Sequence, residues 1–322
     1  MGDPVRVLVT GGNGFLGSYV VKALRDVGET VRVLDWISRD GPSEVEQFTS
    51  DLVTSSNLEA AFDGVDVLVH LAASMRGRTE EMIHNTVEGS RRLLDAMART
   101  STRRIVLASS LSVYDWSKLG TSISEDDEIL DQSTMQAYDG YAQAKTLQER
   151  LTRDMARRNG WMLTVLRPAA LWGRGVWGEF LIGRRFGMAQ TVVAPSKPIR
   201  LVYVENAVDA FVLAARRSRN GELILNVIDD PQITSWRYAG IVQRRVGGVR
   251  VPVPYTLGLF TATLASLLAF GSRRLPYFLQ PRRFEALHKP VACSSARLRE
   301  ALGWTPRYSF DEALARTESL HA

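Results

Sequence analysis

Six short runs rich in β-branched residues recur between residues 5 and 227. They read VRVLVT (5–10), VRVLD (31–35), VDVLVH (65–70), RIVLAS (104–109), LTVLRP (163–168) and LILNV (223–227). Nearly continuous apolar runs of this length are typical of strands that are buried on both faces of a sheet. Stretches long enough to form helices separate the runs, and this alternation predicts an α/β fold with a doubly wound parallel sheet.

The character of the chain changes after residue 167. Glycine-rich and proline-rich loops follow, and the part from Pro231 onward has a mostly helical pattern. We therefore predict a sheet domain over 1–167, which also uses the strand at 223–227. A smaller, mostly helical lobe for the substrate is predicted over 168–322.

Composition and charge exclude several classes of protein. Of the 322 residues, 45% are hydrophobic and 23% are charged, which is ordinary for a globular protein and argues against disorder and against a many-helix membrane protein. The formal net charge is +5, and the arginine pairs that contribute to it are scattered along the chain. Nucleic-acid binding needs basic residues and stacking aromatics gathered on one element, so no nucleic-acid partner is predicted.

The cysteines and histidines indicate the redox compartment and whether a metal site is expected. Cys293 is the single cysteine, which excludes an intramolecular disulfide and favours a reducing, cytoplasmic compartment. An apolar strand pattern begins at Val5 and leaves no space for a signal peptide ahead of it. The histidines lack the spacing of metal ligands, so no metal site is predicted; they are His70, His84, His288 and His321.

The first strand runs directly into the glycine-rich stretch TGGNGFLGS (10–18), and a helix pattern follows. Gly11, Gly14 and Gly17 permit a tight turn and a close approach of a pyrophosphate, while the helix N-terminus presents free N–H groups. Asp35 ends the second strand, eighteen residues after Gly17. A strand before, a helix after and an acid at this distance predict a dinucleotide site of the Rossmann type.

Asp35 also bears on which dinucleotide is bound. Its carboxylate can accept hydrogen bonds from ribose hydroxyls and would repel a 2′-phosphate, so NAD is favoured over NADP. Arg39 is close enough in sequence to soften this preference. The alternative interpretation of Asp35 is a turn residue at the end of a strand.

The stretch YAQAK places Tyr141 four residues before Lys145 in a helix-prone segment. Residues at this spacing project from one face of a helix, but the spacing by itself does not separate a chemical pair from chance. Ser109, Ser110 and Ser112 lie at the C-terminal end of the strand predicted at 104–109, where open parallel sheets bind ligands. The stretch HLAAS (70–74) supplies small residues at the end of another strand. Asn85 begins a helix pattern, for which a helix cap is the alternative role.

Taken in order, these motifs resemble the extended short-chain dehydrogenase/reductases, the NAD-dependent epimerase/dehydratase superfamily. The matching stretches are TGGNGFLG, Asp35, DL (51–52), HLAA, NTVEG (85–89), SSLSVY, YAQAK, LRP (166–168), YVENAVDA (203–210) and LGWTPRYSFDEAL (302–314). The resemblance implies a homodimer, paired through the helices that carry NTVEG and YAQAK. It also implies an enzyme.

The resemblance implies that Ser110, Tyr141 and Lys145 are catalytic, with Asn85 in support. Tyr141 would exchange a proton with the substrate oxygen, and Ser110 would hydrogen-bond that oxygen, a role that Ser109 or Ser112 could take. Lys145 would lower the pKa of the phenol, together with the oxidised nicotinamide, and bind the nicotinamide ribose. The implied cofactor-binding residues are Gly11, Asn13, Gly14, Phe15, Leu16, Gly17, Asp35, Trp36, Arg39, Asp51, Leu52, Leu71, Ala72, Ala73, Ser109, Tyr141, Lys145, Pro168 and Leu171.

Two departures from the motifs of the superfamily indicate which of its branches the chain resembles. Ala170 stands where sugar-nucleotide epimerases usually have Asn, and Leu111 and Ser112 replace the Asp-Glu of the dehydratases. The chain therefore more closely resembles the 3β-hydroxysteroid dehydrogenases and dihydroflavonol-type reductases. The expected reaction interconverts a secondary alcohol and a ketone on a fairly apolar small molecule. An NDP-sugar 4-epimerase or dehydratase, and a non-catalytic NAD(P) sensor, remain as alternatives.

Smaller departures affect the pocket. Asp115 stands where the family often has Gly, and Arg174 could meet an anionic group of the substrate. Trp172 and Trp177 could line the site, although packing explains an aromatic residue near a loop equally well.

Residues 251–272 carry no charge, and Arg250 and Arg273 flank them. Leu257, Phe260, Leu264 and Leu267 recur at helical spacing within this segment. Such a stripe predicts a helix that packs in the lobe or lines an apolar pocket. Peripheral contact with a membrane, or a membrane span, are the alternatives.

Overall fold

The computed structural model describes residues 4–38, 45–217, 221–269 and 275–319. The strands in these residues are β1 (Arg6–Thr10), β2 (Thr30–Asp35), β3 (Glu46–Thr49), β4 (Val67–His70), β5 (Arg104–Ala108), β6 (Ser122–Ile123), β7 (Met162–Pro168), β8 (Ala170–Trp172), β9 (Arg185–Phe186), β10 (Ala189–Val193), β11 (Leu201–Tyr203), β12 (Glu222–Val227), β13 (Val249–Val253) and β14 (Ala292–Cys293). The helices are α1 (Phe15–Asp26), α2 (Thr79–Ile83), α3 (Gly89–Ala98), α4 (Gly140–Asn159), α5 (Val204–Arg216), α6 (Ser235–Val246), α7 (Tyr255–Leu268), α8 (Pro281–His288), α9 (Ala296–Leu302) and α10 (Phe310–Ser319).

Seven of the strands form one parallel sheet in the order β12, β7, β5, β4, β1, β2, β3. This arrangement confirms the predicted α/β fold of the Rossmann type. All six predicted strands are present, as β1, β2, β4, β5, β7 and β12. The seventh strand, β3, was not predicted because its sequence, EQFT, has no apolar run. It lies at the edge of the sheet, where burial on both faces is not required.

The two faces of the sheet bury different residues because successive strand side chains point to opposite sides. Val9 belongs to a buried cluster that contains Val20 of α1 and Phe211 of α5. Its neighbour Leu8 belongs to a second cluster, with Leu93 of α3. Helices therefore cover both faces of the sheet, as a doubly wound fold requires.

Strand register brings the predicted site segments to one edge of the sheet. Thr10, at the end of β1, pairs with Leu34 of β2 and with His70 at the end of β4. His70 pairs in turn with Leu107 of β5. The glycine loop, the HLAAS segment and the SSLS segment follow β1, β4 and β5 directly, so they leave the sheet side by side.

The chain beyond β12 is mostly helical and contains α6 to α10, with β13 and β14, in its described residues. β12 itself is hydrogen-bonded to β7 within the large sheet. The division of the chain into 1–167 and 168–322 stays a prediction.

Helix α7 contradicts the expectation that its apolar stripe packs in the lobe. Leu257, Phe260, Leu264 and Leu267 are between 43% and 69% exposed. The face that packs is made of Gly258 and Ala262, the buried residues of this helix. Within the described ranges, no helix combines the length and the apolar content needed to cross a bilayer.

Candidate active site

The glycine loop has the geometry that a bound pyrophosphate requires. Gly11 adopts a φ of +68°, and its N–H donates to the carbonyl of Leu34 at 3.0 Å. A Cβ on Gly17 would lie 2.1 Å from the oxygen of Gly11, so no side chain fits there. Helix α1 begins after Gly14 without a side-chain cap in the described structure, which leaves first-turn N–H groups for an anion. The loop therefore fits a dinucleotide.

Asp35 is tied to the glycine loop and to its own turn. Its carboxylate accepts a hydrogen bond from the N–H of Asn13 at 2.9 Å and from the N–H of Ile37 at 3.3 Å. The Asn13 side chain donates to the Ile37 carbonyl at 2.6 Å. Asp35 is thus both a turn residue and a fixed carboxylate beside the loop. Trp36 follows it and is exposed, whereas Arg39 lies outside the described residues.

The other predicted cofactor residues surround this edge of the sheet. Leu71 and Ala72 donate their N–H groups to the carbonyl and the hydroxyl of Thr10, at 3.2 and 3.3 Å. Asp51 is exposed and accepts from the N–H groups of the turn that follows it. The remaining positions are partly or fully buried: Phe15, Leu16, Leu52, Ala73, Pro168 and Leu171. Their contact with a cofactor stays a prediction.

Tyr141 lies in the first turn of α4. The helix is capped by the Asp139 side chain, which accepts from the N–H of Ala142 at 2.9 Å. Gly140 packs so closely on α2 that a Cβ would lie 2.4 Å from Cε of Met82. The cap and this contact fix where the helix begins, and therefore where the tyrosine stands.

Ser110 is the serine that meets Tyr141. It begins a 3-10 turn over Leu111–Val113, and its hydroxyl accepts from the N–H and the hydroxyl of Ser112 at 3.1 and 2.9 Å. Ser110 also lies close enough to the phenol of Tyr141 to lower the pKa of that phenol. Of the three serines, Ser110 is therefore the one that acts on the tyrosine.

The pKa of Tyr141 lies above its ordinary value in this structure, and the lowering expected from Lys145 together with a bound nicotinamide stays a prediction. Burial raises the pKa of Tyr141 to about 12, the hydrogen bond from Ser110 lowers it, and the charge of Asp139 raises it. At neutral pH the phenol therefore keeps its proton and is a hydrogen-bond donor.

Lys145 is buried and reaches the end of β5. Its ammonium donates to the carbonyl of Ala108 and, at 2.6 Å, to Oε1 of Gln148. Burial lowers the pKa of Lys145 to about 7, while the carboxylate of Glu149 raises it. The lysine is thus poised to exchange a proton near neutral pH.

Gln148 links Lys145 to a buried polar network that sequence reasoning missed. Its amide donates to the Ala72 carbonyl at 3.0 Å and to the Ser90 hydroxyl at 2.8 Å. Nε2 of His70 lies 2.8 Å from the same hydroxyl, and Nδ1 lies 2.7 Å from the hydroxyl of Thr10. Burial, followed by the charge of Lys145, lowers the pKa of His70 to about 3, so the ring is neutral. The ends of β1 and β4 and helices α3 and α4 are joined in this way.

A second buried network includes Ser109. The Ser109 hydroxyl donates to the carboxylate of Glu149 at 2.5 Å, and its contact with a cofactor stays a prediction. Glu149 also forms a two-pronged ion pair with Arg167, at 2.6 and 3.1 Å, and both side chains are buried. Arg167 also donates a hydrogen bond to the Tyr114 hydroxyl at 2.8 Å. Sequence spacing offered one signal, since Glu149 is one helical turn beyond Lys145.

Asn85 lies inside a π-helical turn, His84–Glu88, between α2 and α3. Its side chain is exposed, and the N-cap positions of these three elements are Arg78, Ile83 and Glu88. The helix-cap interpretation of Asn85 is therefore wrong. A π turn widens the helix locally and is frequent at functional sites, so a role in support of catalysis stays a prediction.

Of the other residues predicted near the pocket, some are buried in packing contacts and one is exposed. Trp172 is fully buried and packs on Trp177 and Tyr203, with ring centroids 6.1 and 5.2 Å apart. Packing is therefore the interpretation of these tryptophans that the structure supports. Asp115 is buried and accepts from the Tyr138 hydroxyl at 2.9 Å, whereas Arg174 is exposed.

Comparisons with known proteins agree with this geometry. The family profile described as NAD dependent epimerase/dehydratase family matches residues 7–227. The 3-beta-hydroxysteroid dehydrogenase of Mycolicibacterium neoaurum is 27% identical over 98% of this chain and 92% of its own length. The human 3 beta-hydroxysteroid dehydrogenase type 7 is 28% identical over 96% of this chain and 94% of its own. A short-chain dehydrogenase/reductase superfamily protein from Agrobacterium tumefaciens, solved with bound NAD, has the same fold, with a TM-score of 0.73, 22% identity and coverage of 98% and 97% of the two chains.

Proposed function

The chain belongs to the NAD-dependent epimerase/dehydratase family and is an NAD-dependent extended short-chain dehydrogenase/reductase, and from this premise we propose that it oxidises a secondary alcohol, or reduces the ketone, on an apolar small molecule of the hydroxysteroid kind. The observation that carries the proposal is the placement of Ser110 next to Tyr141 and beside buried Lys145, at the sheet edge where the glycine loop begins. Hydride transfer needs a proton donor or acceptor at this place.

The roles of the three residues follow from their protonation. Tyr141 holds its proton at neutral pH, so it can donate to the oxygen of a ketone, and Ser110 fixes the direction of the phenol. Lys145 has a pKa of about 7, so it can supply a proton to the site. Its ammonium is held there by hydrogen bonds to Ala108 and Gln148. Bound NAD supplies the hydride acceptor or donor and, when oxidised, a positive charge. In the oxidation direction Tyr141 must lose its proton, and its raised pKa means that this direction gains from higher pH.

Similarity and sequence support an apolar substrate over a sugar nucleotide. The two dehydrogenase relatives are named for hydroxysteroids, and each is similar to this chain along nearly all of its length. Ala170, in β8, has no polar group with which to hold a diphosphate. An NDP-sugar 4-epimerase is the second candidate in this family, and the two reactions differ in what happens to the cofactor.

A substrate panel with NAD tests the proposal. Hydroxysteroids, hydroxyacyl compounds and UDP-sugars are each incubated with enzyme and NAD, and absorbance is followed at the NADH band. We expect NADH to accumulate with an apolar secondary alcohol, in proportion to the ketone formed. Inversion of a UDP-sugar without net NADH would instead identify an epimerase, because an epimerase regenerates its cofactor in each cycle.

Two further inferences depend on the same premise. We infer a homodimer paired through α3 and α4, and a cytoplasmic location from the single cysteine, Cys293. Sedimentation velocity of the purified protein would test the first, and fractionation of cells would test the second.

A further inference from the structure

The burial pattern of helix α7 is the reverse of that of an ordinary surface helix. A surface helix buries its large apolar side chains and exposes its polar ones. In α7 the buried residues are the small ones, Gly258 and Ala262, and a Cβ on Gly258 would lie 2.4 Å from Cζ of Phe284. Phe260 and Leu267 face outward and are 64% and 69% exposed. Close packing of the small face thus presents the large apolar face to the surroundings.

Exposed apolar side chains also occur on the small sheet of β9, β10 and β13, which adjoins α7 because Val253 of β13 packs against the cluster that contains Ala262. Phe186 and Val249 both pair with Ala189 of β10, so the three side chains project from one face of that sheet. Val251 lies two residues beyond Val249 and shares the face. Phe186, Val249 and Val251 are between 41% and 61% exposed. We call these three residues, together with Leu257, Phe260, Leu264, Leu267 and Leu268 of α7, the apolar surface.

Positive charge is concentrated in the two chain segments that contain the residues of this surface, although Lys197 and Arg200 among the basic residues are buried. Residues 176–200 and 244–290 contain twelve lysines and arginines but only two acidic residues, Glu179 and Glu285. The rest of the chain has 28 basic and 33 acidic residues, so the net positive charge of the protein originates here. Arg184 and Arg185 are exposed and directly precede Phe186. Apolar and cationic groups therefore occur together.

We propose that the apolar surface docks the protein on the surface of a membrane that contains anionic lipids. Apolar side chains enter the boundary between headgroups and acyl chains, while the surrounding arginines bind anionic headgroups. A second copy of this chain fits less well because a two-fold interface would bring two strongly positive surfaces together. Helix α7 has 14 residues, so the protein lies on the bilayer and does not cross it through this helix. The inference does not depend on the identity of the substrate.

Vesicle flotation tests the proposal with three proteins: the full chain, Phe260→Ser/Leu264→Ser/Leu267→Ser, and Arg184→Glu/Arg185→Glu. The vesicles contain equal parts of phosphatidylcholine and phosphatidylglycerol, or phosphatidylcholine alone. We expect the unmodified chain to float with the anionic vesicles, and binding to fall by about tenfold or more in the triple variant. The charge-reversal variant and added salt should each reduce binding to anionic vesicles.

Matched controls separate docking from unfolding. Val27→Ser removes an exposed apolar side chain at the end of α1, and Lys22→Glu reverses an exposed charge on the same helix; both should bind vesicles like the unmodified chain. All variants should keep the same NAD affinity and melting temperature, since the replaced side chains are exposed. Failure of the unmodified chain to float would overturn the proposal, as would full binding by the triple variant. A lipid-free dimer that the triple variant converts to monomer, without vesicle binding, would assign the surface to a second copy.

Discussion

Helices α4 and α7 break the ordinary rule of helix burial in opposite ways. Helix α4 is rich in polar residues yet buries Gln143, Lys145, Thr146, Gln148, Glu149 and Thr152, whereas α7 is apolar yet exposes its leucines and phenylalanine. The buried polar groups of α4 are retained because hydrogen bonds satisfy them and because they position Tyr141. The exposed apolar groups of α7 contribute nothing comparable inside the chain. The difference teaches that buried polar residues mark a functional site, and that exposed large apolar residues mark a surface for a partner.

Removal of the Tyr141 hydroxyl should have the largest effect on function. Tyr141→Phe should lower the turnover rate by about a hundredfold to ten-thousandfold because no proton donor remains beside Ser110. NAD affinity, measured by titration of protein fluorescence, should change by less than about threefold. Tyr138→Phe serves as the control. It removes a hydroxyl three residues before Tyr141 that is hydrogen-bonded to Asp115, and turnover should stay within about tenfold. An active Tyr141→Phe enzyme would exclude the Tyr141 hydroxyl from the proton transfer.

Breaking the buried ion pair between Glu149 of α4 and Arg167 of β7 should have the largest effect on stability. Glu149→Ala leaves the guanidinium of Arg167 buried without its carboxylate, and this should lower the free energy of unfolding by about 3–5 kcal/mol. Glu222→Ala removes the partner of Arg153 at a partly exposed pair and should cost about 1 kcal/mol or less. Urea denaturation of both variants measures the difference. Equal losses would mean that burial does not set the strength of these pairs.

Lys145 should give the fold a measurable pH dependence. Its pKa is about 7 in the folded chain and near 10.5 when unfolded, so between these values the unfolded state binds more protons. Stability should therefore rise with pH across this window, by at most about 1.4 kcal/mol per pH unit. Lys145→Met removes the effect, and the difference in unfolding free energy between the two proteins isolates it. A difference that stays constant from about pH 7 to about pH 9 would show that the ammonium is not desolvated.

The smallest effect should come from the exposed face of α7. Leu264→Ser changes an exposed side chain and should alter the free energy of unfolding by less than about 0.5 kcal/mol. Gly258→Val, on the opposite face, forces the buried ring of Phe284 to move and should cost about 1–3 kcal/mol. Thermal denaturation of the two variants sharpens the comparison. A larger loss from Leu264→Ser would show that the apolar face is covered within the chain.

Much of the fold and part of the site could be predicted because they depend on local patterns. The six apolar strands, the glycine loop and Asp35 are each recognisable from neighbouring residues, since side-chain period and glycine spacing act over short distances. The spacing of Tyr141 and Lys145 was equally visible. What the spacing could not supply was the environment of the two groups.

The tertiary structure decided which groups are buried and what they contact. Lys145 bonds to Ala108, which is 37 residues away, and Gln148 to Ala72, which is 76 away, so these bonds and the raised pKa of Tyr141 arise only when α4 packs on the sheet. Helical spacing likewise shows that α7 has an apolar stripe, but the stripe is exposed because Phe284 fits against Gly258 on the other side. Periodicity along a chain therefore defines the faces of an element, whereas the shapes of distant neighbours determine which face is covered.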